Sequence, residues 1–225
     1  MTTVAISPIV IDSDSDYSLE TLPTLPAALE TAMTQRYRTV LLFGAPGSGK
    51  GTIGKALGAI PGFVHVACGD VFRGLDLTSP IGKVFIEYSA KGLLVPDDTT
   101  IELWHQHIDA LVATRRFAPD RDLLVLDGIP RDAAQAQIMD GYITVERVFH
   151  LVCSDENQMF ARLRRRALKE NRLDDASDEV IRHRWRVYEQ ESTPILDHYA
   201  PEIIARIDAI ATPVKVLHDI LGRLI

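Results

Sequence analysis

The sequence predicts an α/β fold in which helices cover both faces of a five-stranded parallel sheet. Apolar runs of strand length alternate with helical segments, and the first run, residues 39–43 (TVLLF), has the continuous apolar character of a buried parallel strand. A glycine-rich turn follows this run directly, and a helix begins after the turn. Because parallel strands need crossover connections, the alternation favours three layers in the order helix, sheet, helix.

The first 36 residues differ in composition from the rest of the chain. The whole chain has 225 residues and a net charge of −7, and residues 1–35 contain five acidic residues and no Lys or Arg. Such a segment, rich also in Ser, Thr and Pro, buries little apolar surface. We expect residues 1–36 to be an acidic, flexible extension and residues 37–225 to be the folded domain.

Composition also limits the classes of partner. An acidic chain is a poor general binder of nucleic acid. No apolar run approaches the length of a membrane span, and the short apolar run near the N-terminus lacks the basic region of a signal peptide. The two cysteines, Cys68 and Cys153, form no C-x-x-C motif and indicate a reducing, cytoplasmic setting.

Residues 44–52 (GAPGSGKGT) carry the first motif with a chemical meaning. The spacing G-x-x-x-x-G-K between a strand and a helix matches the phosphate-binding loop, which makes the prediction a P-loop fold. Backbone N–H groups of such a loop surround an anion, the helix N-terminus adds partial positive charge, and Lys50 adds a full charge. Ser or Thr usually follows the lysine, whereas Gly51 stands there. The candidate phosphate-binding residues are Gly47, Ser48, Gly49, Lys50, Gly51 and Thr52.

The remaining elements follow from the same patterns. Further strands are predicted at residues 62–66, 122–127, 147–152 and 202–208. A helix over residues 80–91 should end at Gly92, and the next helix should bury a stripe of Ile101, Trp104, Ile108 and Leu111. Asp127 ends the third strand, where P-loop enzymes place the acid that orients Mg²⁺ or its waters.

At residues 69–73 (GDVFR) the chain resembles the adenylate kinase family of nucleoside monophosphate kinases. The ending Gly51-Thr52 of the loop is that family's variant, and the resemblance extends over about residues 37–225. It implies that Arg73 grips the phosphate of the acceptor nucleotide. The family member specific for AMP usually has Ser-Thr before the glycine, where this chain has Ala67-Cys68.

Two more segments resemble the acceptor site of that family. Residues 92–97 are similar to G-x-L-V-P-D, whose backbone lines the acceptor base, and residues 127–131 (DGIPR) are similar to D-G-F-P-R. The resemblance makes Arg131 a second acceptor-phosphate arginine and Gln135 the reader of adenine, where kinases for CMP or UMP usually have Asn. The implied acceptor residues are Cys68, Arg73, Leu93, Leu94, Val95, Gly128, Arg131 and Gln135.

The donor side resembles the same family. Arg162 matches an arginine that stacks on the ATP base, and Arg166 matches one that contacts the transferring phosphate. Only residues 167–171 precede Arg172, which opens a segment similar to R-x-D-D, so the resemblance implies a short lid without zinc. Arg184 opens R-x-x-x-Y. The implied catalytic residues are Lys50, Arg131, Arg166, Arg172 and Arg184.

The resemblance implies the reaction ATP + AMP = 2 ADP, with Mg²⁺ accompanying ATP and held by Asp127 through water. The expected partners are ATP and a nucleoside monophosphate, with no nucleic acid and no membrane, and the expected assembly is a monomer. Two alternatives remain open at this stage. One is a kinase for another monophosphate such as CMP or UMP, and the other is a nucleotide-binding regulator without catalysis.

Overall fold

The computed structural model describes residues 36–170 and 177–224, and for residues 169 and 170 it describes the backbone only. Five strands form one parallel sheet in the order β2-β3-β1-β4-β5, which confirms the predicted fold class. The strands are β1 (Tyr37–Gly44), β2 (Phe63–Ala67), β3 (Leu123–Asp127), β4 (Ile143–Val152) and β5 (Ile204–Asp208).

Helices connect the strands and follow the last one. They are α1 (Lys50–Leu57), α2 (Cys68–Arg73), α3 (Pro80–Lys91), α4 (Asp97–Ala113), α5 (Ala133–Met139), α6 (Glu156–Glu170), α7 (Asp178–Val187) and α8 (Pro213–Leu221). Between α7 and β5 the chain forms a π-helical turn at Tyr188–Ser192 and 3₁₀ turns at Thr193–His198 and Pro201–Ile203. Helix α3 begins and ends as predicted, with Gly92 in the left-handed conformation (φ 71°).

Some boundaries differ from the sequence prediction. Strand β4 begins at Ile143 rather than at residue 147, because residues 143–145 also pair with β1; the register shifts by one residue at Glu146. Strand β5 begins at Ile204, after a 3₁₀ turn. Helix α6 continues to Glu170 through most of the predicted short lid. The N-terminal extension through residue 35, and Arg172 with its neighbours, lie outside the described residues.

Strand β1 is buried on both of its faces, as the apolar run predicted. Val40 and Leu42 pack toward α1 and α8, whereas Leu41 and Phe43 pack in the cluster that includes Phe72 of α2 and Trp104 of α4. A parallel sheet covered on both faces leaves the carboxyl ends of its strands as the natural place for a ligand.

Residues 36–225 form one compact unit by their internal contacts. No helix within residues 36–170 or 177–224 is both long enough and apolar enough to cross a membrane.

Candidate active site

The loop between β1 and α1 lies at the carboxyl edge of the sheet. Gly44, Gly47 and Gly49 have positive φ angles of 150°, 86° and 96°. A Cβ at Gly44 would lie 2.6 Å from the carbonyl oxygen of Leu151, so the loop passes β4 only with glycine at this position. The first intrahelical hydrogen bond of α1 runs from Ile53 N to Gly49 O (3.0 Å). The N–H groups of residues 50–52 therefore have no partner within the helix and suit an anion.

Lys50 occupies the centre of this loop. Its Nζ donates to the carbonyl oxygens of Gly44 (2.6 Å) and Ala45 (3.2 Å). Desolvation lowers the pKa of Lys50 to about 8, although the negative charge of Asp127 acts in the opposite direction. Nearby positive charges lower this pKa further, and they belong to Arg166, Arg184 and Arg131. The lysine is therefore surrounded by cations from three other parts of the chain, an arrangement that a polyphosphate would stabilise.

A cavity of about 950 Å³ opens beside the loop. All the predicted loop residues from Gly47 to Thr52 line it, and so do Asp127, Gly128 and residues 93–95. It also collects arginines from several elements, namely Arg73, Arg131, Arg162, Arg165, Arg166 and Arg184. Guanidinium groups bind phosphate oxygens in a bidentate manner, so the lining suits a ligand with several phosphates.

The carboxylate of Asp127 lies above the start of α1. A Cβ built on Gly51 would be 3.5 Å from Asp127 Oδ2, which places the carboxylate over the position where a P-loop usually has Ser or Thr. Within residues 36–170 and 177–224, no three His, Cys, Asp or Glu side chains cluster in a way that could hold a metal ion. One carboxylate beside a phosphate loop fits Mg²⁺, which is commonly held by one or two carboxylates together with substrate phosphates and waters.

The two predicted acceptor-phosphate arginines are held by their own segments. Arg73 Nη2 donates to Asp70 Oδ1 at 2.5 Å, and its guanidinium lies over Gly69, where a Cβ would be 3.1 Å from Nη2. A side chain at position 69 would therefore require the guanidinium to shift by a few tenths of an ångström. Arg131 Nε donates to the carbonyl oxygen of Gly128 (2.8 Å). Both arginines therefore face the cavity from fixed positions.

Gln135 and Cys68 lie behind the cavity wall rather than on it. Gln135 is fully buried, with 0% of its surface exposed. Its Oε1 accepts from Arg131 N (2.9 Å) and its Nε2 donates to Asp97 Oδ1 (2.6 Å). Cys68 is 2% exposed, and burial raises the pKa of its thiol. The amide predicted to read adenine thus joins the start of α4 to the segment that carries Arg131.

Arg162 lines the cavity, and its guanidinium faces the segment after β5. Its Nη1 donates to the carbonyl oxygen of Ala209 (2.8 Å). Sequence reasoning gave no role to Arg165 or Tyr188, although both also line the cavity. Each lies at helical spacing from a predicted arginine, three residues after Arg162 and four after Arg184, and this spacing was the signal that could have identified them.

A phosphate-binding loop after the first strand of a doubly covered parallel sheet defines a P-loop nucleotide-binding α/β protein. A family model described as "Adenylate kinase" matches residues 42–204 of this chain. An adenylate kinase of Thermobifida fusca is 35% identical over 179 residues, covering 76% of this chain and 89% of the relative. One of Thermus thermophilus is 31% identical over 193 residues, covering 83% and 97%, respectively. The chain belongs to the adenylate kinase family.

Proposed function

We propose that this protein transfers the γ-phosphoryl group of ATP to AMP and forms two molecules of ADP. The observation that carries the proposal is that Lys50, Arg131, Arg166 and Arg184 all line one cavity beside the phosphate loop. Phosphoryl transfer requires little covalent chemistry from the protein and depends on in-line positioning and charge neutralisation. A converging set of cations around a phosphate loop supplies both.

In this reaction an oxygen of the AMP phosphate attacks the γ-phosphorus. The new P–O bond forms as the bond from the γ-phosphorus to the β–γ bridging oxygen breaks, and ADP leaves with that electron pair. Lys50 and the N–H groups at the start of α1 bind the donor phosphates, and Arg73 and Arg131 orient the acceptor phosphate. Arg166, Arg184 and Arg172 neutralise the charge of the transferring group, the last by resemblance alone.

Asp127 would hold Mg²⁺, through water, against the donor phosphates. When bound, the ion supplies charge neutralisation and fixes the orientation of the phosphate oxygens. The part of the cavity lined by Arg162 and by the segment after β5 suits the base of ATP. Residues 167–171 and the segment from Cys68 to Val95 are proposed to exclude water from the reacting phosphates.

A kinase for CMP or UMP is the second candidate. The observation that favours it is the environment of Gln135, whose two polar ends are already paired with Arg131 N and Asp97. Cys68 also stands where the AMP-specific relatives have a hydroxyl, and a thiol is a weaker donor. We retain AMP as the acceptor because a Gln, rather than an Asn, occupies this position.

The test is a coupled ADP-formation assay with AMP, CMP, UMP and GMP as acceptors. The proposal expects AMP to have the highest kcat/KM, with Lys50→Ala as the inactive control. A higher kcat/KM for CMP or UMP would reassign the acceptor, and nucleotide binding without turnover would indicate the non-catalytic regulator. We further propose a cytoplasmic monomer that binds neither nucleic acid nor membrane, in agreement with two free cysteines and a negative net charge.

A further inference from the structure

A buried histidine lies near the carboxyl end of strand β4, beside two residues that line the cavity, Phe43 and Tyr188. His150 is 8% exposed, and its neighbours across the sheet are Phe43 of β1 and Arg206 of β5. Its Nε2 is 3.1 Å from the hydroxyl of Tyr188, whereas its Nδ1 finds no hydrogen-bond partner among residues 36–170 and 177–224. An ordinary core position would hold an apolar residue, because a buried polar atom without a partner destabilises the fold.

Three rings meet at this point, and we refer to Phe43, His150 and Tyr188 as the ring triad. The centroid of Phe43 is 5.5 Å from that of His150 and 5.5 Å from that of Tyr188. Phe43 directly precedes Gly44, whose carbonyl oxygen accepts from Lys50. The triad therefore joins the strand that leads into the phosphate loop, the neighbouring strand β4 and the C-terminal end of α7.

Tyr188 is the residue at which α7 changes its geometry. It begins the π-helical turn, and its carbonyl oxygen accepts from Thr193 Oγ1 at 3.1 Å. Its ring lines the cavity one helical turn after Arg184. Two hydrogen bonds therefore hold this turn, one from the Tyr188 hydroxyl to His150 and one from Thr193 to the Tyr188 carbonyl oxygen. A rotation of the turn would move Arg184 relative to the phosphate loop.

The charges around the triad keep the histidine neutral. Desolvation, followed by the positive charges of Arg206 and Lys50, lowers the pKa of His150 to about 4. The hydrogen bond to Tyr188 therefore joins two neutral groups near neutral pH.

We propose that His150 is a positioning residue for phosphoryl transfer, which acts by anchoring the Tyr188 hydroxyl and so fixing the end of α7 that carries Arg184. The proposal rests on the phosphotransferase function of the same site. It predicts that loss of this hydrogen bond lowers kcat more than it changes substrate binding, because Arg184 is assigned to the transferring phosphate.

The test compares His150→Phe and Tyr188→Phe with two matched variants. Each of the first pair removes the hydrogen bond and keeps an aromatic ring, and we expect kcat to fall about five- to tenfold with both KM values changing by less than about twofold. His150→Gln, whose amide reaches the same distance, should recover most of kcat. Tyr199→Phe is the control, because the Tyr199 hydroxyl is buried without a partner within the described residues, and its removal should leave kcat unchanged.

An epistasis measurement separates positioning from general packing. If His150 acts through Arg184, then His150→Phe should cause little further loss of kcat in an Arg184→Ala background, and the effects of His150→Phe and Tyr188→Phe should not multiply. A wild-type kcat in both His150→Phe and Tyr188→Phe would overturn the proposal. So would a loss of kcat from His150→Phe that is equally large in the wild-type protein and in Arg184→Ala. Failure of the wild-type protein to phosphorylate any monophosphate would instead overturn the function on which it rests.

Discussion

Lys50 is the residue on which the proposed donor site depends most directly. Its ammonium group is desolvated and lies near several guanidinium groups, so the positive charge of Lys50 is destabilised when no ligand is bound. The same positive charge is what a triphosphate would bind. Binding a polyanion compensates this unfavourable interaction. The same environment makes Lys50 sensitive to pH within the range of ordinary assays.

We predict that kcat/KM for ATP falls as pH rises through about 8, because the folded-state pKa of Lys50 is lowered to about 8 and the neutral amine binds phosphate less well. Stability should change in the opposite direction. The unfolded chain, with a lysine pKa of 10.5, binds more protons above pH 8 than the folded chain, so the free energy of unfolding rises between about 8 and 10.5.

Steady-state kinetics and denaturant unfolding across this pH range measure both effects. Lys50→Met should abolish phosphoryl transfer. Its free energy of unfolding should also no longer rise between about pH 8 and 10.5, so the variant should be more stable than the wild type, most clearly below pH 8. Lys83→Met, at an exposed lysine of α3, is the matched control and should change neither quantity. A flat kcat/KM profile through pH 8 would contradict the lowered pKa.

Gln135 combines a predicted recognition role with a structural one. We predict that Gln135→Ala lowers the AMP:CMP ratio of kcat/KM about tenfold or more, as expected when a reader of a polar edge is removed. It should also destabilise the protein by about 1–3 kcal/mol, because the half-buried N–H of Arg131 loses its acceptor and the fully buried Gln135 side chain leaves a cavity. Acceptor kinetics with thermal unfolding test both. An unchanged AMP:CMP ratio of kcat/KM together with a lowered Tm would show that Gln135 has a structural role only.

At the scale of secondary-structure elements, the end of α3 meets α7 at the cavity. A Cβ at Gly92 would lie 3.0 Å from Arg184 Cγ and 3.3 Å from a methyl group of Val180. The bare backbone of Gly92 thus lets the end of α3 approach the helix that carries Arg184. The positive φ of 71° is a second, independent requirement for glycine at this position.

The pair Gly92→Ala and Gly62→Ala separates these two requirements. Both positions have positive φ, and at Gly62 (φ 88°) a Cβ would meet nothing within 4 Å. Each substitution should destabilise the protein by about 1 kcal/mol through backbone strain. Only Gly92→Ala should also lower kcat and raise the KM for AMP, because it displaces Arg184. Equal kinetics for the two variants would show that the contact with α7 has no catalytic role.

At the scale of the whole molecule, the first described residues hold the start of β1 in place. Arg36 Nε donates to the carbonyl oxygen of Ile143 (3.1 Å), and Tyr37 N donates to that of Tyr142 (2.8 Å). The ring of Tyr37 also packs edge-on against Phe117 at 5.4 Å. These contacts place the start of β1 against β4, whereas the cavity lies at the other end of the strands.

We predict that a chain truncated to begin at Arg36 keeps the kcat and Tm of the full chain, because the sheet and every described cavity residue lie within residues 36–225. A chain that begins at Thr39 should lose stability by more than about 1 kcal/mol, since it lacks the Tyr37 packing and the hydrogen bonds to Tyr142 and Ile143. Kinetics and thermal unfolding of both chains make the comparison. A loss of activity in the first truncation would assign residues 1–35 a functional role.

The sequence by itself determined the layers and the location of the phosphate loop. Apolar runs bounded by turns specify buried parallel strands locally, and the glycine spacing before Lys50 requires no distant partner to be recognised. The helix end at Gly92 and the buried stripe of α4 followed in the same way from the periodicity of nearby residues.

Tertiary structure alone decided which polar groups face the cavity and which lie behind it. Gln135 and Cys68 follow family motifs, yet both are buried behind the cavity wall. Asp97 lies 38 residues from Gln135 in the sequence and comes within hydrogen-bonding distance of it only because α4 packs against α5. In the sequence, His150 is one residue of a predicted strand with no sign of a partner. Only the folded structure brings its ring to the hydroxyl of Tyr188, 38 residues later. Such pairings depend on contacts between distant segments, whose geometry is set by packing rather than by local sequence pattern.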